Sequence, residues 1–265
     1  MLARVLICAG SDSGGGAGVQ ADIKAVMALG GYAATAITAL TAQNTLGVHG
    51  VVPVGVDFIR AQMRAVLEDI GADAVKTGML HDSATIEAVV GGLPVGVPVV
   101  ADPVMVAKGG HPLLQEEAVA ALRALLVPAA ALVTPNLPEA AILAGFAVTD
   151  EASMLRAGEA ILGLGAGAVL VKGGHLEGDA LVDLLMTRGG VVRFEDTRIA
   201  TRHTHGTGCT LASAIACGVA QGMGLVVAVA RARRYVRAAI LAAPGLGAGH
   251  GPLGHGVTVD PLRFG

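Results

Sequence analysis

Tryptophan is absent from this 265-residue chain, and Phe, Tyr and Trp together make up only 2% of it. The core must therefore be built from aliphatic residues, and an apolar content of 53% is ample for that and excludes a disordered chain. Charged residues are also scarce, because 18 Lys and Arg face 21 Asp and Glu, for a net charge of −3. No basic face large enough for nucleic-acid binding is expected.

The chain has too few cysteines for a disulfide framework, because Cys8, Cys209 and Cys217 cannot all pair. It also lacks apolar spans suited to a membrane. The uncharged stretch from Ala25 to Ala42 is interrupted by two glycines and three threonines. The start of the chain has neither the apolar region nor the cleavage site of a secretory signal. We therefore expect a cytoplasmic protein without a membrane span.

Short apolar runs typical of buried strands alternate with helical patterns along most of the chain. The predicted strands are Arg4–Ala9, Ala34–Leu40, Ala74–Lys76, Val97–Ala101, Ala131–Thr134, Ala168–Val171, Ala180–Met186 and Val191–Glu195. The predicted helices are Gly18–Leu29, Phe58–Ile70, Ser83–Val90, Glu116–Leu126, Pro138–Ala144, Met154–Leu164, Cys209–Gln221 and Val226–Ala242. This alternation predicts one α/β domain over residues 1–265, with a mostly parallel central sheet and helices on both faces. The last two strands predict an antiparallel hairpin, and residues 245–265 are expected to be weakly structured.

Glycines and polar residues follow the carboxyl ends of the predicted strands, in a chain with only four Lys and two Asn. These segments are Gly10–Gly18, Gln43, Thr77–Met79, Asp102, Asn136, Lys172 and Gly206–Cys209. Gln43 offers a donor and an acceptor to the edge of a heterocycle and Met79 an apolar wall, unless both only fill loops. Because ligands bind at this edge of doubly wound sheets, the pattern predicts one ligand site there.

Two of these segments are rich in glycine and precede helices. Gly10–Gly18 either lets the backbone approach a ligand or forms only a tight turn, and it lacks the G-K-[ST] of a P-loop. Gly206–Cys209, called the anion cradle below, opens a long apolar helix whose first N–H groups and dipole attract an anion. In this first turn the pKa of the Cys209 thiol is expected to fall. The alternatives are a small buried cysteine beside a capping threonine, and a metal site of His203, His205 and Cys209.

Polar side chains at three other strand ends have both a structural and a functional interpretation. Asn136 and Glu139 match a helix capping box, or they present an amide and a carboxylate to a ligand or to hydrated Mg²⁺. Asp102 is either a turn cap or a carboxylate that faces a metal. Lys172 stands beside two glycines, and its compact ammonium suits a phosphate contact.

Several motifs in a characteristic order connect the chain to a known family. They are ICAGSDS (7–13), GVQAD (18–22), ITALTAQNT (37–45), KTGML (76–80), DPVM (102–105), TPNLPE (134–139), VKGGH (171–175) and THGTGCT (204–210). On these residues the chain resembles the ribokinase-like superfamily, and specifically the hydroxymethylpyrimidine/phosphomethylpyrimidine kinases of thiamine biosynthesis. Gly14 departs from the family's pattern, which usually has Ser at this position.

The resemblance implies a three-layer ribokinase-like fold, a homodimer and a two-step reaction that uses ATP and Mg²⁺. The first step phosphorylates 4-amino-5-hydroxymethyl-2-methylpyrimidine, and the second phosphorylates its monophosphate to give the pyrophosphate. The implied site residues are Gln43, Asp22, Gly10, Met79 and Val106 around the pyrimidine, Asn136, Lys172, Thr187 and Thr207 along ATP, and Glu139 and Asp102 near Mg²⁺. Gly206, Gly208 and Cys209 are the implied catalytic anion hole. There Cys209 replaces the Asp base of related sugar and pyridoxal kinases and takes a base or orienting role.

Three other functions fit parts of the pattern. Pyridoxal kinase belongs to the same superfamily, although Cys209 together with Gln43 and Asn44 favours the pyrimidine. A dinucleotide-dependent oxidoreductase suits the sheet, but the first loop lacks its glycine fingerprint and no acidic residue ends the second strand. A non-catalytic ligand-binding protein also fits the sequence, and measured ATP turnover distinguishes it from a kinase.

Overall fold

The computed structural model describes residues 2–106, 110–111, 113–174, 176, 178–260 and 262–263, so His175 of the VKGGH motif lies outside the described residues. The strands are β1 (Arg4–Asp12), β2 (Tyr32–Asn44), β3 (Gly47–Pro53), β4 (Ala74–Thr77), β5 (Val99–Ala101), β6 (Leu132–Val133), β7 (Ala168–Lys172), β8 (Ala180–Thr187) and β9 (Gly190–Thr197). The helices are α1 (Gly18–Ala28), α2 (Val56–Asp69), α3 (Ser83–Gly91), α4 (Ala118–Ala121), α5 (Val127–Ala129), α6 (Leu137–Ala144), α7 (Glu151–Gly163), α8 (Thr207–Ala220) and α9 (Leu225–Leu241), with a π-helical turn over Leu122–Leu126 between α4 and α5. Over these ranges, no helix is both long and apolar enough to cross a membrane.

The strands form one sheet in the order β3-β2-β1-β4-β5-β6-β7-β8-β9. The six neighbouring strands from β2 to β7 run parallel. Antiparallel β3 borders one side of them, and the antiparallel hairpin of β8 and β9 borders the other. The predicted α/β fold, with its mostly parallel sheet and late hairpin, is therefore confirmed.

Alternate residues of β1 point into two apolar layers on opposite faces of the sheet, because strand side chains alternate in direction. Leu6 and Cys8 join the layer that contains α2, α3, α6 and α7. Val5, Ile7 and Ala9 join the layer that contains α1, α8 and α9. Helices on both faces thus cover the sheet in three layers, and the core contains the aliphatic residues that the composition requires.

Strand β3 is absent from the sequence prediction, which also ends β2 at Leu40 instead of Asn44. The segment GVHGVVP contains Gly, His and Pro, which are typical of loops rather than strand interiors. It forms a strand because it pairs with β2 at the border of the sheet, for example Leu40 with Val52. This pairing extends β2 and places Gln43 beside the carboxyl edge.

The chain after α9 forms no further helix or strand among its described residues, apart from an isolated bridge at Pro252. The part around residues 251–255 is nevertheless packed, since Leu253 and His255 are buried, whereas Leu246 and Val259 are exposed. The Tyr235 hydroxyl donates a hydrogen bond to the His255 carbonyl oxygen at 2.9 Å, and burial lowers the pKa of His255 to about 4. Among the described residues of 245–265, only the short stretch 251–255 is therefore packed against the domain.

We expect Leu253→Ala to lower the free energy of unfolding by about 2–3 kcal/mol, as truncation of a buried leucine does. Leu262→Ala is the matched control, because Leu262 is 79% exposed and its loss should change stability by less than about 0.5 kcal/mol. Chemical denaturation of both variants measures the difference. Equal effects would contradict the packing of the tail.

Candidate active site

Parallel strands bring several predicted site segments to the same edge of the sheet. Asp102 follows β5, and its backbone N–H donates to the carbonyl oxygen of Thr77 at the end of β4, at 3.0 Å. Lys172 ends β7, and its backbone N–H donates to the Pro135 carbonyl oxygen at 2.9 Å, next to Asn136. Side chains that are far apart in the sequence are therefore neighbours at this edge.

The first glycine segment, Gly10–Gly18, is organised around one buried carboxylate. Asp12 accepts hydrogen bonds from the backbone N–H groups of Gly14 at 2.8 Å, Gly16 at 3.1 Å and Ala17 at 2.8 Å. Burial alone would raise the pKa of Asp12, but hydrogen bonds from a histidine and from this backbone outweigh it and lower the pKa. The segment is therefore a rigid turn with an ionised centre.

The anion cradle begins α8 and touches the first glycine segment through its backbone. Gly206 has a φ of +80°, and a Cβ at this position would overlap the Gly16 carbonyl oxygen. The Thr207 hydroxyl donates to the Thr204 carbonyl oxygen at 2.7 Å. Because N–H groups in a first helical turn have no acceptor within the helix, those of Gly208 and the next residue suit an anion.

Behind the anion cradle lies a fully buried ion pair of Lys76 and Asp22. Lys76 Nζ donates to both carboxylate oxygens of Asp22, at 2.9 and 2.8 Å. The hydroxyl of Ser213, one turn along α8 from Cys209, donates to Asp22 Oδ1 at 2.7 Å. Burial alone would lower the pKa of Lys76, but Asp22 and other nearby acidic groups raise it, so this ammonium stays charged.

This burial disagrees with the expectation that Asp22 lies beside the pyrimidine ring. Asp22 is 0% exposed and its oxygens already accept from two side chains, so it is shielded from any ligand at the edge. The sequence analysis assigned no role to Lys76. The available signal was a lysine inside the otherwise apolar strand segment AVKTGML.

The pKa of Cys209 shifts in the direction opposite to the one expected. Burial raises the pKa of this thiol to about 12, and nearby carboxylates add to the rise while Lys76 opposes it. This shift is opposite to the fall that the first helical turn predicts, because desolvation of the half-buried thiol together with Asp22 and Asp102 outweighs the attraction of Lys76. The alternative metal site of His203, His205 and Cys209 also receives no support, since no metal-binding group of His, Cys, Asp and Glu occurs in the described part of the chain.

A second ion pair faces the anion cradle. Lys172 Nζ donates to Asp102 Oδ1 at 3.0 Å, and the Thr134 hydroxyl donates to the same oxygen at 3.1 Å. A Cβ on Gly208 would lie 3.3 Å from Lys172 Nζ and 3.5 Å from Asp102 Oδ2. The absence of a side chain at Gly208 therefore leaves an ammonium and a carboxylate beside the start of α8.

Asn136 and Glu139 form the capping box that their spacing indicates. The Glu139 N–H donates to Asn136 Oδ1 at 2.9 Å, and the Asn136 N–H donates to Glu139 Oε2 at 2.8 Å. Burial raises the pKa of Glu139 to about 7, which Lys172 opposes and Asp102 reinforces. Two acidic groups thus share a buried edge where a cation would favour their ionised forms.

Gln43, near the end of β2, contacts the first glycine segment and His205, the residue that precedes the anion cradle. Its backbone N–H donates to the Ser13 hydroxyl at 2.8 Å, and that hydroxyl lies 2.8 Å from the Gln43 carbonyl oxygen. Its side-chain amide lies 3.2 Å from His205 Nε2, which is itself 2.9 Å from Asp12 Oδ2. Sequence reasoning missed Asp12 and Ser13 and considered His205 only as a metal ligand, although the SDS and HGTG motifs contain them.

An apolar cluster forms beside Gly10, near the end of β1. Met79 is buried and packs with Val104, and a Cβ on Gly10 would lie 2.9 Å from Met79 Sδ. Val106, two residues after Val104, is 49% exposed. Gly10 and Met79 are therefore in direct contact.

Thr187 is the predicted site residue that the structure places elsewhere. It pairs with Ala168, the first residue of β7, whereas Lys172 at the other end of β7 pairs with Asp183. Because β8 runs antiparallel, its carboxyl end lies at the opposite edge of the sheet. The expected contact of Thr187 with ATP therefore disagrees with the structure.

Comparison with known proteins identifies the family of this chain. A family model described as phosphomethylpyrimidine kinase matches residues 12–254. A hydroxymethylpyrimidine/phosphomethylpyrimidine kinase of Rhizobium meliloti is 52% identical over 259 residues, which cover 96% of this chain and 97% of the relative.

Two solved structures have the same fold over nearly their whole length. The ADP complex of Bacillus subtilis pyridoxal kinase is 37% identical, with a TM-score of 0.89, and the match covers 97% of this chain and 98% of that one. The phosphomethylpyrimidine kinase of Clostridium difficile is 40% identical, with a TM-score of 0.78 and coverages of 89% and 98%. By sequence and by fold, this chain belongs to the phosphomethylpyrimidine kinase family.

Proposed function

We propose that this chain, acting as one kinase domain, transfers the γ-phosphoryl group of ATP to the hydroxymethyl group of 4-amino-5-hydroxymethyl-2-methylpyrimidine. A second transfer to the resulting monophosphate gives the pyrophosphate. The observation that carries the proposal is the anion cradle, with Lys172 and Asp102 beside it and Gln43 opposite, at one edge of the sheet. Membership of a kinase family makes the dinucleotide-dependent oxidoreductase wrong.

Release of ADP measured with three acceptors tests this assignment. Turnover is expected with the pyrimidine and with its monophosphate, and pyridoxal is expected to be the poorer substrate. Activity with pyridoxal alone would overturn the pyrimidine assignment. The absence of ATP turnover with all three would favour a non-catalytic ligand-binding protein.

The site supplies positioning and charge rather than covalent chemistry. Phosphoryl transfer passes through a loose transition state that needs in-line alignment and neutralised oxygens. The N–H groups of Gly206, Gly208 and Cys209 would hold the transferred group, and Lys172 and Asn136 would hold the remaining phosphates. Thr207 would join them once ATP replaces the Thr204 carbonyl oxygen as the acceptor of its hydroxyl. The buried Lys76 adds positive charge behind the cradle without touching the ligand.

Mg²⁺ fits the acidic part of this edge. Asp102 and Glu139 provide two carboxylates, and the pKa of about 7 at Glu139 shows that burial and a neighbouring carboxylate make a second negative charge costly without a cation. Mg²⁺ commonly binds through one or two carboxylates, waters and substrate phosphates, which matches this small donor set. When bound, the ion would neutralise charge on the ATP phosphates.

Cys209 acts as an orienting group in this proposal rather than as a resting thiolate base. With its pKa raised to about 12, the thiol keeps its proton at neutral pH. The hydroxymethyl proton then passes to the transferred phosphoryl group or to solvent as the new bond forms. The pyrimidine ring of the substrate is surrounded by Gln43, Gly10, Met79 and Val106. Of these, Gln43 forms hydrogen bonds with the edge of the ring.

We also propose a homodimer that functions in the cytoplasm. The exposed, cross-strand pair Leu40 and Val52 on the β2–β3 hairpin provides an apolar surface for a second copy. Cys8, Cys209 and Cys217 are free thiols, which suits a reducing compartment. Sedimentation measurements that find only monomers would contradict the dimer.

Gly206→Ala is expected to weaken ADP binding by roughly tenfold or more, because its Cβ displaces the backbone that would contact phosphate. Gly222→Ala is the matched control: it has the same φ of +80°, but a Cβ there meets nothing within 4 Å. The positive φ should cost each variant about 1 kcal/mol of stability, and Gly206→Ala should lose more, because its Cβ also overlaps the Gly16 carbonyl oxygen. Isothermal titration with ADP separates them, and equal ADP affinity would argue against the cradle as a phosphate site.

Gln43→Ala should raise the KM for the pyrimidine by roughly tenfold, the value of a lost hydrogen bond, and leave the KM for ATP unchanged. Gln221→Ala is the control, because its amide donates only to the Leu29 carbonyl oxygen at the far end of α8. Steady-state kinetics with each substrate varied in turn measures both constants. Unchanged pyrimidine kinetics would exclude Gln43 from substrate binding.

Cys209→Ala should lower kcat more than it raises KM and leave the shape of the kcat–pH profile unchanged near neutral pH. The reason is that a thiol with a pKa of about 12 does not titrate in this range. Cys217→Ala, in the same helix, is the control for general packing effects. Loss of a titration near neutral pH in Cys209→Ala alone would show instead that the thiolate acts as the base.

A further inference from the structure

The hydrogen bond between Asp12 and His205 determines which hydrogen the histidine ring carries. Asp12 is ionised, since its pKa is lowered, and a carboxylate only accepts hydrogen bonds. His205 Nε2 lies 2.9 Å from Asp12 Oδ2, so Nε2 must carry a hydrogen and donate it. This conclusion holds for both the neutral and the protonated ring, because both can place a hydrogen on Nε2.

The same nitrogen creates a conflict at Gln43. Gln43 Nε2 lies 3.2 Å from His205 Nε2, so two N–H donors face each other. Gln43 Oε1 lies 3.3 Å from the Thr41 hydroxyl, whose hydrogen is donated to the Ser11 carbonyl oxygen at 2.9 Å. An amide turned by half a rotation has the same shape, and the hydrogen-bond partners decide its orientation.

Turning the Gln43 amide resolves both contacts. Its oxygen then shares the single hydrogen on His205 Nε2 with Asp12 Oδ2, as the second acceptor of a bifurcated hydrogen bond, and its nitrogen donates to the free lone pair of the Thr41 hydroxyl. The ring of His205 lies close to the Gly16 backbone, since a Cβ on Gly16 would lie 2.5 Å from its Cδ2, and the hydrogen bond of its Nε2 to Asp12 fixes its orientation. The His205 backbone N–H is also held, by the Gly251 carbonyl oxygen at 3.2 Å.

We propose that His205 is a specificity-determining positioning residue that fixes the Gln43 amide with its oxygen toward His205 and its nitrogen toward Thr41. In this orientation Gln43 presents its oxygen, an acceptor, on the His205 side and its N–H group, a donor, on the Thr41 side. It pairs with a ring edge that carries an amino group beside a ring nitrogen, the amino group lying on the His205 side. This inference rests on the proposed function, because it assumes that Gln43 reads the substrate.

The fixed positions of the Gln43 oxygen and N–H group also determine which pyrimidines the site binds poorly. A 4-oxo pyrimidine presents the opposite pattern, with an oxygen acceptor beside a ring N–H donor. To pair with it, the Gln43 amide would have to turn its N–H group toward the His205 N–H group. A buried donor left without an acceptor is costly, so the site should favour the 4-amino ring over the 4-oxo ring.

The test compares kcat/KM for the 4-amino substrate with kcat/KM for its 4-oxo analogue. His205→Gln should reduce this ratio by roughly tenfold, because a second amide can turn and accept as well as donate. His205→Lys, whose ammonium only donates, should retain the ratio. His255→Gln is the matched control: it replaces another buried histidine that contacts Thr210 and not Gln43, and its ratio should be unchanged.

Two further measurements separate positioning from a structural role. In the Gln43→Ala background, His205→Gln should no longer change the ratio, whereas a structural effect would persist there. Histidine ring ¹⁵N chemical shifts of the wild-type protein should show a hydrogen on His205 Nε2, and this readout needs no variant to fold. An unprotonated Nε2, or an unchanged ratio in folded His205→Gln, would overturn the inference.

The proposed function fails in a different way. Wild-type protein that does not phosphorylate the 4-amino substrate would overturn the pyrimidine assignment itself. Wild-type protein that phosphorylates it, but discriminates against the 4-oxo analogue independently of His205, would overturn only the inference about His205.

Discussion

The backbone contact between Gly16 and Gly206 is the constraint on which the site depends. The first loop, after β1, and the start of α8 are far apart in the sequence, and they meet where neither residue has a side chain. Because the two segments touch directly, Asp12 of one reaches His205 of the other at 2.9 Å. The first glycine segment and the residue that precedes the anion cradle thus share one hydrogen-bonded unit.

Two buried pairs of opposite charge are the second constraint on this edge of the sheet. Lys76 is paired with Asp22, and Lys172 is paired with Asp102, each pair largely removed from solvent. Buried ion pairs seldom add stability, because the desolvation of two charges offsets much of their attraction. Their value here is a fixed electrostatic field beside the anion cradle. Glu139, with its pKa raised to about 7, completes an arrangement that a cation and a polyphosphate would balance.

Local patterns in the sequence were sufficient for most of the fold. Apolar runs of strand length that alternate with amphipathic helices indicate a parallel sheet, because both faces of each middle strand are buried. The predictions were wrong where pairing with a neighbour decided the outcome. The composition of GVHGVVP predicts a loop, but the segment forms β3 because it pairs with β2. Thr187 lies at the opposite edge of the sheet from Lys172 because β8 runs antiparallel to β7. Direction and pairing are properties of the sheet rather than of the segment.

The sequence by itself determined the α/β class, the family motifs and the edge at which Asp102, Asn136 and Lys172 gather, because each follows from short-range spacing at the ends of strands. Only the tertiary structure decided the protonation and orientation of the groups there. Desolvation and neighbouring carboxylates raise the pKa of Cys209 in spite of its place at a helix start, and Asp22 is buried in an ion pair with Lys76. Such effects depend on what surrounds a side chain in space, and residues distant in the sequence supply those surroundings.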